Sequence, residues 1–141
     1  MNSKPLPLVS IIIPTYNHAN FLGKALRSLL DQTFKNWEAL VIDNQSSDGT
    51  NKIIKKFKDS RIKYFKISNK GIIAKSRNLG IKASKGKWIA FLDSDDWWTK
   101  NKLEVCVKNI SRNVDLIYHD LEIVYDEFSP YLQRIRLDAL T

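Results

Sequence analysis

Lys87-Trp88-Ile89-Ala90-Phe91-Leu92-Asp93-Ser94-Asp95-Asp96 passes through five apolar residues into three carboxylates within four positions. The apolar part, Lys87 to Leu92, predicts a short buried strand that stops at Asp93. Working outward, other runs read the same way. Leu8 to Ile13 (LVSIII) is a strand ended by Pro14 and followed by the polar Thr15-Tyr16-Asn17. Glu38 to Asp43 (EALVID) is a strand with an acid at its end and Asn44 beyond it, and Ile62 to Ile67 (IKYFKI) is another.

Helical patterns separate these strands. Asn20 is placed to cap a helix from Phe21 to about Thr33, whose Leu22, Ala25, Leu26, Leu29 and Leu30 share one face. Asp48, in the turn-rich stretch 44–49, is a candidate cap for a helix carrying Ile53, Ile54 and Phe57. Asn69-Lys70-Gly71 breaks the third strand, and a helix follows from about Ile72 to Ala83. Thr99 is placed to cap a helix whose Leu103, Val107 and Ile110 face the core. Val114 to Tyr125 contains a fifth strand, and Ser129-Pro130 opens a further helix. Alternating strands and helices imply an α/β fold with a mostly parallel sheet covered on both faces. Ligands bind beyond the carboxyl ends of such strands. Thr15-Tyr16-Asn17, Asp43-Asn44 and Asp93-Ser94-Asp95-Asp96 all follow a strand, so one crevice can collect them.

The chain has 141 residues, 43% hydrophobic and 27% charged, which suits one domain with a hydrophobic core. A single cysteine, Cys106, excludes an internal disulfide and fits a reducing compartment. It lies on an apolar helical stretch and reads as core. Met1 to Leu8 has no signal-peptide h-region, and no apolar run reaches the roughly 18 residues of a membrane span. The net charge of +8 is uneven: residues 52–87 hold 13 Lys or Arg and one acid, Asp59. That segment carries +12 and the rest of the chain −4. Such asymmetry fits either a solvated face of helices and edge strands or an anionic partner: nucleic acid, a phosphate-bearing small molecule or an anionic membrane surface. The basic residues lack the interleaved aromatic platform of nucleic-acid binders. No dinucleotide, P-loop or serine-hydrolase motif is present.

The Asp93-Ser94-Asp95-Asp96 cluster is self-repelling, and a hard divalent cation shared with substrate phosphates would relieve the repulsion. As a bare sequence it is equally an acidic surface turn. Asp43 is placed either to accept hydrogen bonds from a nucleobase or ribose or only to organise its loop. Arg77 either offers a planar fork for phosphate or is a solvated helix residue. Of Trp97 and Trp98, at least one is expected to pack the strand–helix junction. His18 and His119 stand alone and read as structural or exposed.

Five blocks in order make a more specific pattern: Ser10 to Asn17 (SIIIPTYN), Leu29 to Phe34 (LLDQTF), Val41 to Thr50 (VIDNQSSDGT), Ser76 to Gly80 (SRNLG) and Phe91 to Asp96 (FLDSDD). They span about residues 9–105. In order and spacing they resemble the family 2 glycosyltransferases. The resemblance implies a GT-A fold, a Rossmann-like three-layer α/β/α sandwich, binding a nucleoside-diphosphate sugar. It implies nucleotide contacts from Pro14, Thr15, Tyr16, Asn17, Asp43, Arg77, Asp93 and Ser94. It implies a Mn²⁺ or Mg²⁺ ion at Asp95 and Asp93, bridging the diphosphate. The activity it implies is inverting transfer to an acceptor glycan or lipid-linked sugar, in cell-surface polysaccharide or glycoconjugate synthesis. The implied place is the cytoplasm, with peripheral association at an anionic membrane. Three positions depart from the family pattern: Asn44 where a second acid is common, Ser76 where Ala is common, and Lys100 where Pro is common. The family's general base comes from a segment well downstream of the acidic motif, and is expected here beyond Thr141. Residues 1–141 are therefore expected to form one donor-binding domain ending before it. Asp120, Glu122, Asp126 and Glu127 come too early to match. The alternative is a nucleotide-sugar-binding module without turnover.

Overall fold

The computed structural model describes residues 5–121. Four strands form one sheet: β1 (Val9–Thr15), β2 (Trp37–Asp43), β3 (Ile62–Lys66) and β4 (Trp88–Phe91). The order is β3-β2-β1-β4 and every pairing is parallel, as the strand–helix alternation requires. The helices are α1 (Ala19–Leu30), α2 (Thr50–Lys56), α3 (Ile73–Ala83) and α4 (Lys102–Lys108).

Side-chain alternation along β1 and β2 builds two cores. Val9, Ile11, Ile13, Ala39 and Val41 face one side, against Leu22, Ala25, Leu26 and Leu29 of α1, Ile54 of α2 and Leu103 of α4. Ile12, Leu40 and Ile42 face the other, where Leu79 and Ala83 of α3 pack. The three layers follow directly from this split. Gly80 of α3 lets the helix lie on the sheet: a Cβ there would stand 2.5 Å from Ile12 Cγ2.

α2 and α4 stop short of Phe57 and Ile110, which the sequence reading places on them, and the boundaries differ in four further places. Pro14 does not end β1, which continues to Thr15. Ile12 C=O accepts from Leu92 N–H and Thr15 C=O from Asn44 N–H, so Pro14, like Ile12, faces the β4 side. β4 pairs no further than Phe91 opposite Ile12, and the missing proline N–H costs no ladder bond. Asn20 does not cap α1, which starts at Ala19 and stops at Leu30. Asp48 Oδ2 instead accepts from Ala19 N–H, while its Oδ1 accepts from Thr50 N–H and Oγ1. One carboxylate thus serves the first turns of α1 and α2, next to the positive ends of both helices. Thr99 does not cap α4, which Asn101 precedes; the Thr99 C=O accepts from Gln32 Nε2. Residues 114–121 form no strand. The rest of that predicted strand, the Ser129-Pro130 helix start and Thr141, past which the general base is expected, lie outside the described residues.

Candidate functional site

The parallel register brings the three strand ends together. Thr15 pairs with Asp43, and Asp93 follows β4 on the other side of β1. Beyond them lies a cleft of about 410 Å³ lined by Pro14, Thr15, Tyr16, His18, Asn44, Asn69, Gly71, Ile73, Ser76, Asp93, Ser94 and Asp95. Six of the residues expected to contact nucleotide or metal therefore share its wall, Pro14, Thr15, Tyr16, Asp93, Ser94 and Asp95, together with Asn44.

Three others stand behind or beside that wall. Asp43 is fully buried. Its Oδ1 accepts from Ser46 N–H and Oγ, and its Oδ2 from Tyr64 Oη at 2.5 Å. Burial first, and then the bonded carboxylate, push the Tyr64 phenol well above its ordinary pKa. Asn17 adopts φ 50°. Its N–H donates to Ser46 Oγ and its Oδ1 accepts from Ser47 N–H, which ties the loop after β1 to the loop after β2. Arg77 donates through Nη2 to Asp93 Oδ1 at 3.0 Å, holding that carboxylate at the cleft edge.

Two buried polar atoms here have no hydrogen-bond partner among the described residues: Thr15 Oγ1 and Arg77 Nε. Buried donors and acceptors are normally satisfied, so each leaves a bonding capacity at this end of the sheet. The acidic turn is electrostatically loaded. Burial and the charges of Asp95 and Asp93 together raise the Asp96 pKa. Asp95 makes no hydrogen bond to another described residue, and Asp93 keeps Oδ2 unbonded. Among the described residues no three His, Cys, Asp or Glu side chains converge into a protein-only metal cage. Two outward carboxylates fit an ion that takes its remaining ligands from water and phosphate. No described residue is placed as the general base that the family resemblance implies.

Sequence reasoning missed His18. Its Nδ1 lies 2.6 Å from Ser94 Oγ, across the cleft wall from α1's start to the acidic turn. Nothing in the spacing of a lone histidine signals a partner 76 residues away. Asn69 was read only as a strand breaker, yet it is buried. Its N–H donates to Asn44 Oδ1, its Nδ2 to Ser76 Oγ, and its Oδ1 accepts from Gly71 N–H. Asn44 and Ser76, two of the departures from the family pattern, are thus joined through one asparagine. Trp98 packs on the core and its N–H donates to Ser28 Oγ. Trp97 is half-exposed, with Lys24 Nζ 3.1 Å from its ring centre. Cys106 is half-buried in a groove beside β4 and not in the core. His119 is exposed and, among the described residues, bonds only the neighbouring Asp120 carbonyl.

The family model described as "Glycosyl transferase family 2" matches residues 10–139. The chain belongs to the family 2 glycosyltransferases. It is 42% identical over 118 residues to UDP-Glc:alpha-D-GlcNAc-diphosphoundecaprenol beta-1,3-glucosyltransferase WfgD of Escherichia coli, covering 83% of this chain and 47% of that one. It is 39% identical over 100 residues to the putative teichuronic acid biosynthesis glycosyltransferase TuaG of Bacillus subtilis, covering 70% and 40%. The chain therefore spans less than half of either relative. Among solved structures, the family 2 domain superposes on residues 1–349 of TarS from Staphylococcus aureus in complex with UDP. The TM-score is 0.68 at 33% identity, over 71% of this chain and 31% of that one. Mannosyltransferase PcManGT of Pyrobaculum calidifontis, solved with GDP-Man and Mn²⁺, gives TM-score 0.67 at 24% identity over 74% and 32%, a likeness of fold. The GT-A expectation, an α/β sandwich on a parallel sheet, is borne out.

Proposed function

We propose that this family 2 domain binds a UDP-sugar in the cleft at the carboxyl ends of β1, β2 and β4, for metal-dependent transfer with inversion to an acceptor hydroxyl. The observation that carries the reading is the Thr15 hydroxyl, unpartnered among the described residues, in the same cleft wall as the outward carboxylates of Asp93 and Asp95. UDP is favoured over other nucleotides by the name of WfgD and the UDP complex of TarS.

In this reading Tyr16, 57% exposed at the rim, stacks on the base, and Thr15 supplies a hydrogen bond to the nucleoside. Asp43 acts on the nucleoside side and Arg77 on the ribose and phosphate side, through Asp93. Pro14, Asn17 and Ser94 shape the pocket floor and its loops. Asp95 and Asp93 hold Mn²⁺ or Mg²⁺. The ion's contribution is to neutralise charge on the departing diphosphate. No described residue is assigned the general base, which the reading draws from a family segment beyond Thr141. Residues 1–141 act as one donor-binding domain.

The acceptor is a glycan or lipid-linked sugar in cell-surface polysaccharide synthesis, as the names of WfgD and TuaG indicate for those proteins. The place of action is the cytoplasm, peripheral to the membrane. Among the described residues no helix is long and apolar enough to cross one. Calorimetric titration with UDP, with and without Mn²⁺, tests the reading. Binding that strengthens with Mn²⁺ is expected; absence of binding in both conditions refutes it.

A further inference from the structure

The sequence between Asp59 and Asp93 holds nine Lys or Arg and no acid, and the structure gives this segment a specific surface. α3 is the described helix on its face of the sheet, burying Ser76 and Gly80 inward. Helical spacing sets its outward side. Ala74 and Ile81, seven residues apart, share one line, and Lys75 and Lys82, also seven apart, run beside it. Ile72, Ile73 and Ile81 are 48%, 50% and 44% exposed. Lys70, Lys75, Lys82 and Lys85 around them are exposed and form no ion pair among the described residues. Among the described residues, segment 52–87 has only three paired cations: Arg61 with Asp59, Lys63 with Glu38 and Arg77 with Asp93.

Exposed isoleucines at the level of unpaired lysines fit an interface that is apolar a few ångströms below an anionic layer. That is the arrangement of acyl chains beneath acidic headgroups. A nucleic acid would reward aromatic or guanidinium planes instead. Residues 70–85 hold no aromatic; the half-exposed Phe91 lies beside Arg77, whose guanidinium is held by Asp93.

We propose that the outer face of α3, with the Lys70–Gly71 turn and Lys85, docks on an anionic phospholipid bilayer. The proposal deepens the peripheral placement above and rests on it for its biological sense, though not for its physics. Gly71 and Ile73 belong both to this surface and to the cleft wall. Docking therefore brings one edge of the cleft to the bilayer, where a lipid-linked acceptor presents its sugar.

The test is co-sedimentation of the full chain with phosphatidylcholine vesicles, with and without phosphatidylglycerol. Binding only to the phosphatidylglycerol vesicles, weakened by added salt, is expected. Each lysine at the surface is worth roughly a fivefold change in partitioning. Lys75→Gln with Lys82→Gln should thus weaken binding on the order of 20-fold, and Ile81→Ser should weaken it several-fold. Lys52→Gln with Lys55→Gln removes the same charge from α2, across the sheet, and should matter far less. Equal loss in both double variants, no vesicle binding, or preference for a single-stranded oligonucleotide over the anionic vesicles overturns the proposal. A UDP-induced melting shift, followed in parallel, reads the cleft alone. Vesicle binding without that shift refutes the donor reading while upholding the docking surface, and the shift without vesicle binding does the reverse.

Discussion

Tyr64 on β3 donates its phenolic hydrogen to Oδ2 of Asp43, the last residue of β2, at 2.5 Å. Ser46 occupies the other carboxyl oxygen, so Asp43 is a fully buried side chain with both oxygens bonded, from its own loop and the neighbouring strand. The acid that a nucleoside is proposed to meet is thus also the anchor of the loop 44–50.

Tyr64→Phe should destabilise the fold by about 1–3 kcal/mol, the cost of leaving a buried acceptor oxygen unpaired. It should also weaken UDP binding, because Asp43 loses its fixed orientation. Asp43→Ala should weaken UDP binding roughly tenfold or more, with or without metal. Chemical denaturation and calorimetry read the two effects separately. Unchanged affinity in both variants would make Asp43 a loop organiser only.

Asp95→Ala should remove the Mn²⁺-dependent part of UDP affinity and leave the metal-free fold as stable as before, or more so. It takes one charge out of a cluster whose members repel. Calorimetry in Mn²⁺ and in chelator makes the comparison. Equal Mn²⁺ enhancement in the variant and the parent would remove Asp95 from the metal site.

Gly80→Ala should lower stability by about 1–3 kcal/mol despite alanine's better helix propensity. The new methyl would meet Ile12 Cγ2 at 2.5 Å, and Ile12 is a fully buried, β-branched residue on the central strand. A melting temperature at or above that of the parent would show that α3 can shift outward without cost.

Stability should fall as pH drops below the ordinary carboxylate value of 4.5. Burial pushes the Glu38 pKa up, but bonds from Lys63, Ser10 and the Lys85 N–H outweigh it and hold the carboxyl below that value. A lowered folded-state pKa contributes stability above the unfolded value, which is lost as pH falls through the folded one. Glu38→Gln should flatten this part of the pH–stability curve; an unchanged curve would assign the acid sensitivity elsewhere.

Four strands, their parallel direction and the inward face of α1 were legible in the sequence. They follow from apolar periodicity, which is local and repeats along the chain. Thr15, Asp93 and Asp95 were legible for the same reason, since the rule that places ligands beyond strand ends needs only to know where strands stop. Tertiary structure alone decided which polar side chains answer one another. Asp48 caps α1 from another loop, His18 meets Ser94, Asn69 joins Asn44 to Ser76, and Tyr64 holds Asp43. Each of these is a directional contact between residues 21 to 76 positions apart, except the Asn69–Ser76 bond at seven. A hydrogen bond requires its two atoms to come within about 3 Å, and no one-dimensional period encodes that. The exposed face of α3 was equally hidden: the lysines were visible as a charge run, but only packing showed which isoleucines the sheet leaves outside.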